Sequence, residues 1–241
     1  LSALNVPVLE LDDYEADDII GTLAEHAQDK VEVIVVTGDR DELQLLNEHT
    51  SVYYTKRGIS DIKTYTPEVF AEEYAGLAPK QLIDLKGLMG DASDNIPGVQ
   101  GVGPKTALKL ICQYGSVENV LDHTDEVAGK SLKAKLAEHK DSALLSKELA
   151  TICLTAPVAL NLETYQLQGV KAEAETLLHE LEFRNLYARF AALLGNPGSK
   201  TAFANMQTGN AMAVAKAENG NAMGRTPDAK ENGLGETLNT L

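Results

Sequence analysis

The chain has 241 residues, 44% of them hydrophobic, with no Trp, few aromatics and a formal net charge of −15. That length suits one large domain or two small ones, with a core built from Leu, Ile, Val and Ala. No apolar run approaches the ~18 residues of a membrane span, no signal peptide is visible, and two cysteines are too few for a disulfide framework.

In chain order, Val6–Glu10 reads as a short strand, and a helix follows from about Glu15 to Gln28 with Ile19, Ile20, Leu23 and Ala27 on one face. Residues 31–36, VEVIVV, form a β-branched run of the kind buried on both faces of a parallel sheet. A short helix near Asp41–Leu46 and a strand over 51–55 come next, then a turn at Lys56-Arg57-Gly58. This alternation predicts an α/β sheet with right-handed crossovers, whose ligands gather at the carboxyl ends of the strands. From Thr66 onward the pattern is helical, with helices expected near 67–75, 79–89, 104–113, 116–122, 131–151, 171–182 and 184–194. Pro67, Pro79 and Pro104 each stand where a helix's first turn tolerates the missing N–H. Residues 196–241, rich in Ala, Asn and Gly, read as a flexible tail.

Seven carboxylates fall in three tight clusters at the ends of these elements. They are Glu15, Asp17 and Asp18 in YEADD, Asp39 and Asp41 in TGDRD, and Asp91 and Asp94 in MGDASDN. Converging carboxylates repel one another unless cations lie between them, and all-oxygen donors suit hard divalent ions. Acids in a first helical turn also favour the helix dipole, Asp41 also suits a helix cap, and MGDASDN taken alone is loop chemistry. The three clusters together point to a metal site.

Gly98, Gly101 and Gly103 punctuate the segment that follows. A phosphate loop needs Lys directly after Gly, but Pro104 intervenes. A dinucleotide fingerprint needs a third Gly where Thr106 stands. What remains is helix, glycine turn, helix: either a simple turn between helices, or a segment over Gly98, Gly101, Val102, Gly103, Lys105, Thr106 and Lys109 in which the N–H groups at the second helix's start, with Lys105 and Lys109 four apart on one face, hold a phosphate backbone without reading bases. Charge is distributed accordingly. Residues 1–97 carry 20 acidic and 7 basic side chains, whereas residues 98–149 carry 7 of each. Acidity usually repels nucleic acid, so bound cations and the lysine-bearing half would have to offset it. Cys112 and Cys153 lie in apolar helical contexts and read as buried free thiols of a reducing, cytoplasmic compartment.

EADD, TGDRD, LKGLMGDASDNIPGVQGVGPKTA, LLSKELATI and LEFRNL together resemble the 5′→3′ exonuclease domain of bacterial DNA polymerase I, in the flap endonuclease superfamily, over roughly residues 1–195. The resemblance implies a PIN-like parallel-sheet nuclease domain over 1–97 and a helix–three-turn–helix DNA-binding region over 98–195. Residues 196–241 would be the linker toward polymerase domains. It implies two Mg²⁺ or Mn²⁺ ions held by Glu15, Asp17, Asp18, Asp39, Asp41, Asp91 and Asp94, with Asp39, Asp41 and Asp91 closest to the chemistry. It also implies K⁺ at the glycine turn. The implied partners are DNA with 5′ flaps, nicks or 5′ ends, and RNA-primer hybrids, acted on by a monomer. The family also has an N-terminal strand with an Asp-Gly ligand, a further Asp and a basic arch, none of which lies in this sequence. The 241 residues alone are therefore expected to cleave poorly and to miss a central strand. Two other classes fit parts of the pattern, a non-catalytic DNA-binding module and a magnesium phosphohydrolase acting on small substrates.

Overall fold

The computed structural model describes residues 1–56, 58, 60–166, 169–171 and 173–183. Among them, residues 11–160 form one compact unit, and residues 1–10 with those from 161 onward form another.

The larger unit opens with α1 (Ala16–Ala27), which buries Ile19, Ala24 and Ala27. Ile20 and Leu23 are only partly covered, so the helix is rotated from the expected face toward its small residues. Strand β1 (Val33–Thr37) pairs in parallel with β2 (Thr50–Thr55), and β2 pairs antiparallel with β3 (Ile62–Tyr65). The α/β class holds, and the sheet is small and mixed, in the order β1-β2-β3.

Two strand expectations fail for one reason. Val6–Glu10 is not a strand, since it has no ladder partner among the described residues, and Val6, Val8 and Leu9 are exposed. The VEVIVV strand is covered on one face only. Val35 is buried, whereas Ile34 and Val36 on the other face are 53% and 62% exposed. Strand burial depends on what the sheet packs against, which apolar run length does not encode.

Six α-helices follow in this unit: α2 (Pro67–Glu73), α3 (Leu82–Met89), α4 (Pro104–Tyr114), α5 (Val117–Asp122), α6 (Lys130–Glu138) and α7 (Lys140–Leu149). Thr66 caps α2 by accepting from the Val69 N–H at 3.5 Å, and Ser116 caps α5 by accepting from the Asn119 N–H at 3.3 Å. The span 131–151 is two helices rather than one. The break falls at His139, whose N–H closes on Lys135 O at 2.9 Å. The apolar spacing reads through this point because neither Gly nor Pro marks it.

Helix α3 is the hub, packed against α4, α5 and α7. A Cβ on Gly87 would meet Val117 Cγ2 at 2.9 Å and Ala143 O at 3.2 Å, so this glycine permits the close approach of α5 and α7. The core runs from Val35, Leu43 and Val52 through Phe70 and Tyr74 to Leu85, Leu88, Ile111, Leu136 and Ala143. At the α3–α5–α7 junction Lys147 pairs with Asp84 at 2.7 Å and Glu118 at 2.8 Å, while Asp84 also accepts from the Val117 N–H. Both thiols are free, but Cys112 is exposed and Cys153 only partly covered, which corrects their expected burial. Helical periodicity places a residue on a side of the helix without saying what reaches that side.

In the smaller unit, α8 (Glu173–Glu180) buries Ala174 and Leu178, and the Lys171 N–H donates to Ala3 O at 3.1 Å. The expected helix over 184–194 and the tail over 196–241 lie outside the described residues. No described helix is long and apolar enough to cross a membrane.

Candidate metal centre and glycine turn

The first part of the site is the loop leaving β1. The Thr37 hydroxyl accepts from the Asp39 N–H at 3.0 Å and donates to Glu42 Oε1 at 3.0 Å. Asp39 Oδ1 accepts from the Asp41 N–H, also at 3.0 Å. Thr55, from the neighbouring strand, donates to the Thr37 carbonyl at 3.1 Å. These bonds turn the chain sharply at the strand end and set Asp41 in the first turn of a 3₁₀ helix, Asp41–Leu45.

The second part is the loop leaving α3. Gly90 ends the helix at φ 73°, and Asp91 and Ile96 exchange two backbone bonds of 2.8 Å. Asp91 Oδ1 accepts from the Ser93 N–H at 2.9 Å and from its hydroxyl. One carboxylate oxygen from each of Asp41, Asp91 and Asp94 lies within 4.8 Å of the others.

Among these three stands Lys86, which sequence reasoning missed. Its side chain is 3% exposed, and its ammonium contacts Asp41 Oδ1, lies 2.6 Å from Asp91 Oδ2 and 4.0 Å from Asp94 Oδ2. The signal was a lysine inside the largely apolar helix LIDLKGLM, since a buried lysine needs an anionic partner. Burial opposes the Lys86 charge, but hydrogen bonds to Asp41 and Asp91 outweigh it and hold the ammonium above its ordinary value. Burial likewise pushes Asp91 up, and bonds from Lys86 and Ser93 outweigh that, leaving it below the ordinary carboxylate value. Asp41 shares the same ammonium yet ends above its ordinary value, because it is desolvated first and stands beside the charges of Asp39 and Asp91. A buried anion held up in this way is one that a cation would relieve.

The third part is YEADD. Glu15 is the exposed N-cap of α1, and its N–H donates to Asp18 Oδ2 at 3.2 Å. Asp18 Oδ1 accepts from the Cys153 N–H at 2.8 Å, so both Asp18 oxygens are engaged by backbone. Asp17 Oδ1 accepts from the Asp18 N–H at 2.9 Å. Burial pushes the Asp17 carboxyl up, and the charges of Asp18 and Asp39 add to the shift. The charge of Asp39 thus reaches both Asp17 and Asp41, and Asp41 in turn converges with Asp91 and Asp94. Carboxylate oxygens from separate elements, three of them within one ion's reach, make a donor set that suits a hard divalent cation. Glu42, 5% exposed and pushed up by burial, is a second acid that the sequence did not single out.

The glycine turn leads from this site into α4. Gly98 has φ 62°, and a Cβ there would collide with the backbone of Met89 and Gly90. Its N–H donates to Ser146 Oγ at 2.9 Å, and its carbonyl accepts from Ser142 Oγ at 2.6 Å. Gly98 is thus buried and stitched to α7, and Val102 is 3% exposed within the core. Those two expected DNA contacts face inward, because alternate positions of a turn on a core must anchor it. Gly101, Gly103, Lys105 and Lys109 are exposed and Thr106 is half-buried. The Thr106 and Ala107 N–H groups both close on Gly103 O at 3.0 Å. Lys105 and Lys109 stand four apart on the solvent face of α4, while Ala107, Leu108, Leu110 and Ile111 fill its buried face. The Lys135 ammonium of α6 lies directly against Gly101, a third cation at the turn that sequence spacing did not reveal.

Two family models match in succession. Residues 1–75 match the N-terminal resolvase-like domain of 5′-3′ exonuclease, and residues 77–173 match its C-terminal SAM fold. The chain belongs to the 5′-3′ exonuclease family. It is similar to DNA polymerase I of Bacillus caldotenax, 54% identical over 187 residues, covering 77% of this chain and 21% of that protein. DNA polymerase I of Bacillus subtilis is 52% identical over 191 residues, covering 78% and 22% respectively. The chain thus spans about a fifth of the length of these relatives. Among solved structures, T5 5′-exonuclease with bound zinc shares the fold at TM-score 0.54 and 24% identity, covering 61% of this chain and 53% of that one. A complex of bacteriophage T5 D15 flap endonuclease with DNA and metal ions aligns with the same coverage at TM-score 0.53 and 24% identity.

Proposed function

We propose that this chain is the 5′→3′ exonuclease and 5′-flap endonuclease part of a DNA polymerase I, hydrolysing phosphodiester bonds with two divalent cations. The observation that carries the proposal is the convergence of Asp41, Asp91 and Asp94 oxygens within 4.8 Å, on loops that abut a turn bearing exposed Lys105 and Lys109. The T5 relatives, described with divalent metal and with DNA, support it.

A pair of Mg²⁺ or Mn²⁺ ions bound here would supply activation of the attacking water and stabilisation of the leaving 3′ oxygen. Asp39, Asp41, Asp91, Asp17 and Glu15 would hold the ions, with Asp39, Asp41 and Asp91 nearest the chemistry. Asp18 would act partly from outside, in keeping with its two backbone bonds, and Asp94, 53% exposed, would act partly from outside and partly as the third donor beside Asp41 and Asp91. Lys105 and Lys109 neutralise backbone phosphates of the duplex, and the exposed backbone of Gly101 and Gly103 lets that duplex approach closely. K⁺ is the ion we assign to the glycine turn. Residues 1–97 supply the metal-binding half and residues 98–195 the duplex-gripping half. Substrates are 5′ flaps, nicks, 5′ ends and RNA-primer hybrids, acted on by a cytoplasmic monomer during primer removal and repair.

The test is Asp39→Ala in the intact polymerase. Cleavage of a 5′-flap DNA in Mg²⁺ falls by at least about 10³-fold, while flap binding in Ca²⁺, which supports binding but not cutting, changes by less than about threefold. Retained cleavage removes Asp39 from the site. Flap binding in Ca²⁺ with no cleavage by the unmodified protein in Mg²⁺ leaves a structure-specific DNA-binding module instead.

A further inference from the structure

Glu42 lies in the 3₁₀ helix beside Asp41 and is 5% exposed. One of its oxygens is accounted for, since Oε1 accepts from the Thr37 hydroxyl at 3.0 Å. The other, Oε2, is fully buried and has no hydrogen-bond partner among the described residues. Burial above all pushes this carboxyl up, its own N–H and the Thr37 hydroxyl oppose that, and the charges of Asp39 and Asp17 add to the rise. A side chain needed only to brace Thr37 would not have to be anionic. A glutamine would accept the same hydroxyl bond, and it would avoid burying a carboxylate beside two others. Buried polar atoms without partners are rare enough that each needs a reason. A donor held beside Asp39, whose N–H is tied to Glu42 through the Thr37 hydroxyl, would supply that reason.

We infer that Glu42 is a positioning residue for the divalent-cation centre, with Oε2 accepting a hydrogen bond from a water molecule on the cation that Asp17 and Asp39 hold. This rests on the reading of those two aspartates as cation ligands. A hard cation such as Mg²⁺ keeps several of its waters, and each needs an acceptor in the surrounding shell. Glu42 would fix one such water while Oε1, through Thr37, holds the Asp39 N–H. The same residue would then set both the loop that presents Asp39 and the shell of the ion that Asp39 binds.

The experiment is a calorimetric titration of the 241-residue chain with Mn²⁺, for the unmodified protein and for Glu42→Gln and Thr37→Ser, with circular dichroism to confirm folding. Glu42→Gln keeps the Thr37 bond but presents an amide donor instead of an anionic acceptor. Its Mn²⁺ affinity is expected to fall by about 10–100-fold. Thr37→Ser retains the hydroxyl and leaves affinity within about twofold. Equal affinity of Glu42→Gln and the unmodified chain overturns the inference and reduces Glu42 to a loop brace. Saturable binding that neither variant alters leaves the metal site standing and sinks only this role. No saturable Mn²⁺ binding by the unmodified chain sinks both. Should Glu42→Gln lose its fold, Glu42→Asp replaces it, withdrawing the acceptor by one methylene, and an unchanged affinity there overturns the inference equally.

Discussion

Replacing Lys86 with Met removes the cation that the metal-free protein keeps among Asp41, Asp91 and Asp94. Met is close in volume and keeps the aliphatic contacts of the stem inside α3, so packing changes little. The electrostatic change is large. The Lys86 side chain is 3% exposed, and its two nearest partners, Asp91 and Asp41, are 11% and 18% exposed. Breaking a buried ion pair from one side costs about 3–5 kcal/mol, because the remaining charges lose their compensation. For a chain of this size each kcal/mol is worth ~2–4 °C, so Tm in excess EDTA should fall by roughly 6–20 °C. In saturating Mg²⁺ the fall should shrink to a few degrees, since the divalent ion supplies the charge that the ammonium supplied. Mn²⁺ affinity should rise by about tenfold or more, because the ion no longer has to displace a tethered competitor. Thermal unfolding with and without metal, together with Mn²⁺ titration, measures both quantities. An equal Tm loss in EDTA and Mg²⁺, or weaker Mn²⁺ binding, refutes the argument and makes Lys86 a partner of the ion rather than its rival.

Acidification from pH 7 toward about 4.5 should stabilise the metal-free chain. Asp17, Asp41 and Glu42 all have folded-state values above their unfolded ones, so the folded state binds more protons in that window. Below about pH 3.8 the trend should reverse, because Asp91 is depressed in the folded state and its contribution is lost as it takes up a proton. Urea midpoints across pH in EDTA test this, and a midpoint that falls steadily from neutral pH downward counts against it. Lys109→Ala should weaken binding to duplexes of unrelated sequence equally and lower the log affinity–log salt slope by about 1. A sequence-dependent loss in fluorescence anisotropy would mean that Lys109 reads bases.

The carboxylates were legible because their spacing is local. YEADD opens a helix, TGDRD ends a strand, and MGDASDN ends a helix, and each placement follows from chain-order signals. The turn at Gly98–Gly103 was legible for the same reason, through its glycines and Pro104. What stayed hidden depends on distant contacts. Lys86 meets Asp41 across 45 positions, and Asp18 meets the Cys153 N–H across 135, a bond that occupies the oxygen the Glu15 N–H leaves open. The inward turn of Gly98 follows from α7 reaching back with Ser142 and Ser146. Strand β3 escaped notice because IKTY is short and carries a lysine, which pairs with Glu73 only once α2 has packed.

The uncovered face of β1 sets a practical limit on the isolated chain. Ile34 and Val36 are bare on that face, β2 is the only described strand paired with β1, and Val31, just before the strand, is exposed too. Such a rim is a template on which another copy's strand can dock, burying the aliphatic side chains and completing the ladder. Any association through that rim would therefore grow with concentration whatever the stability of the core beneath it.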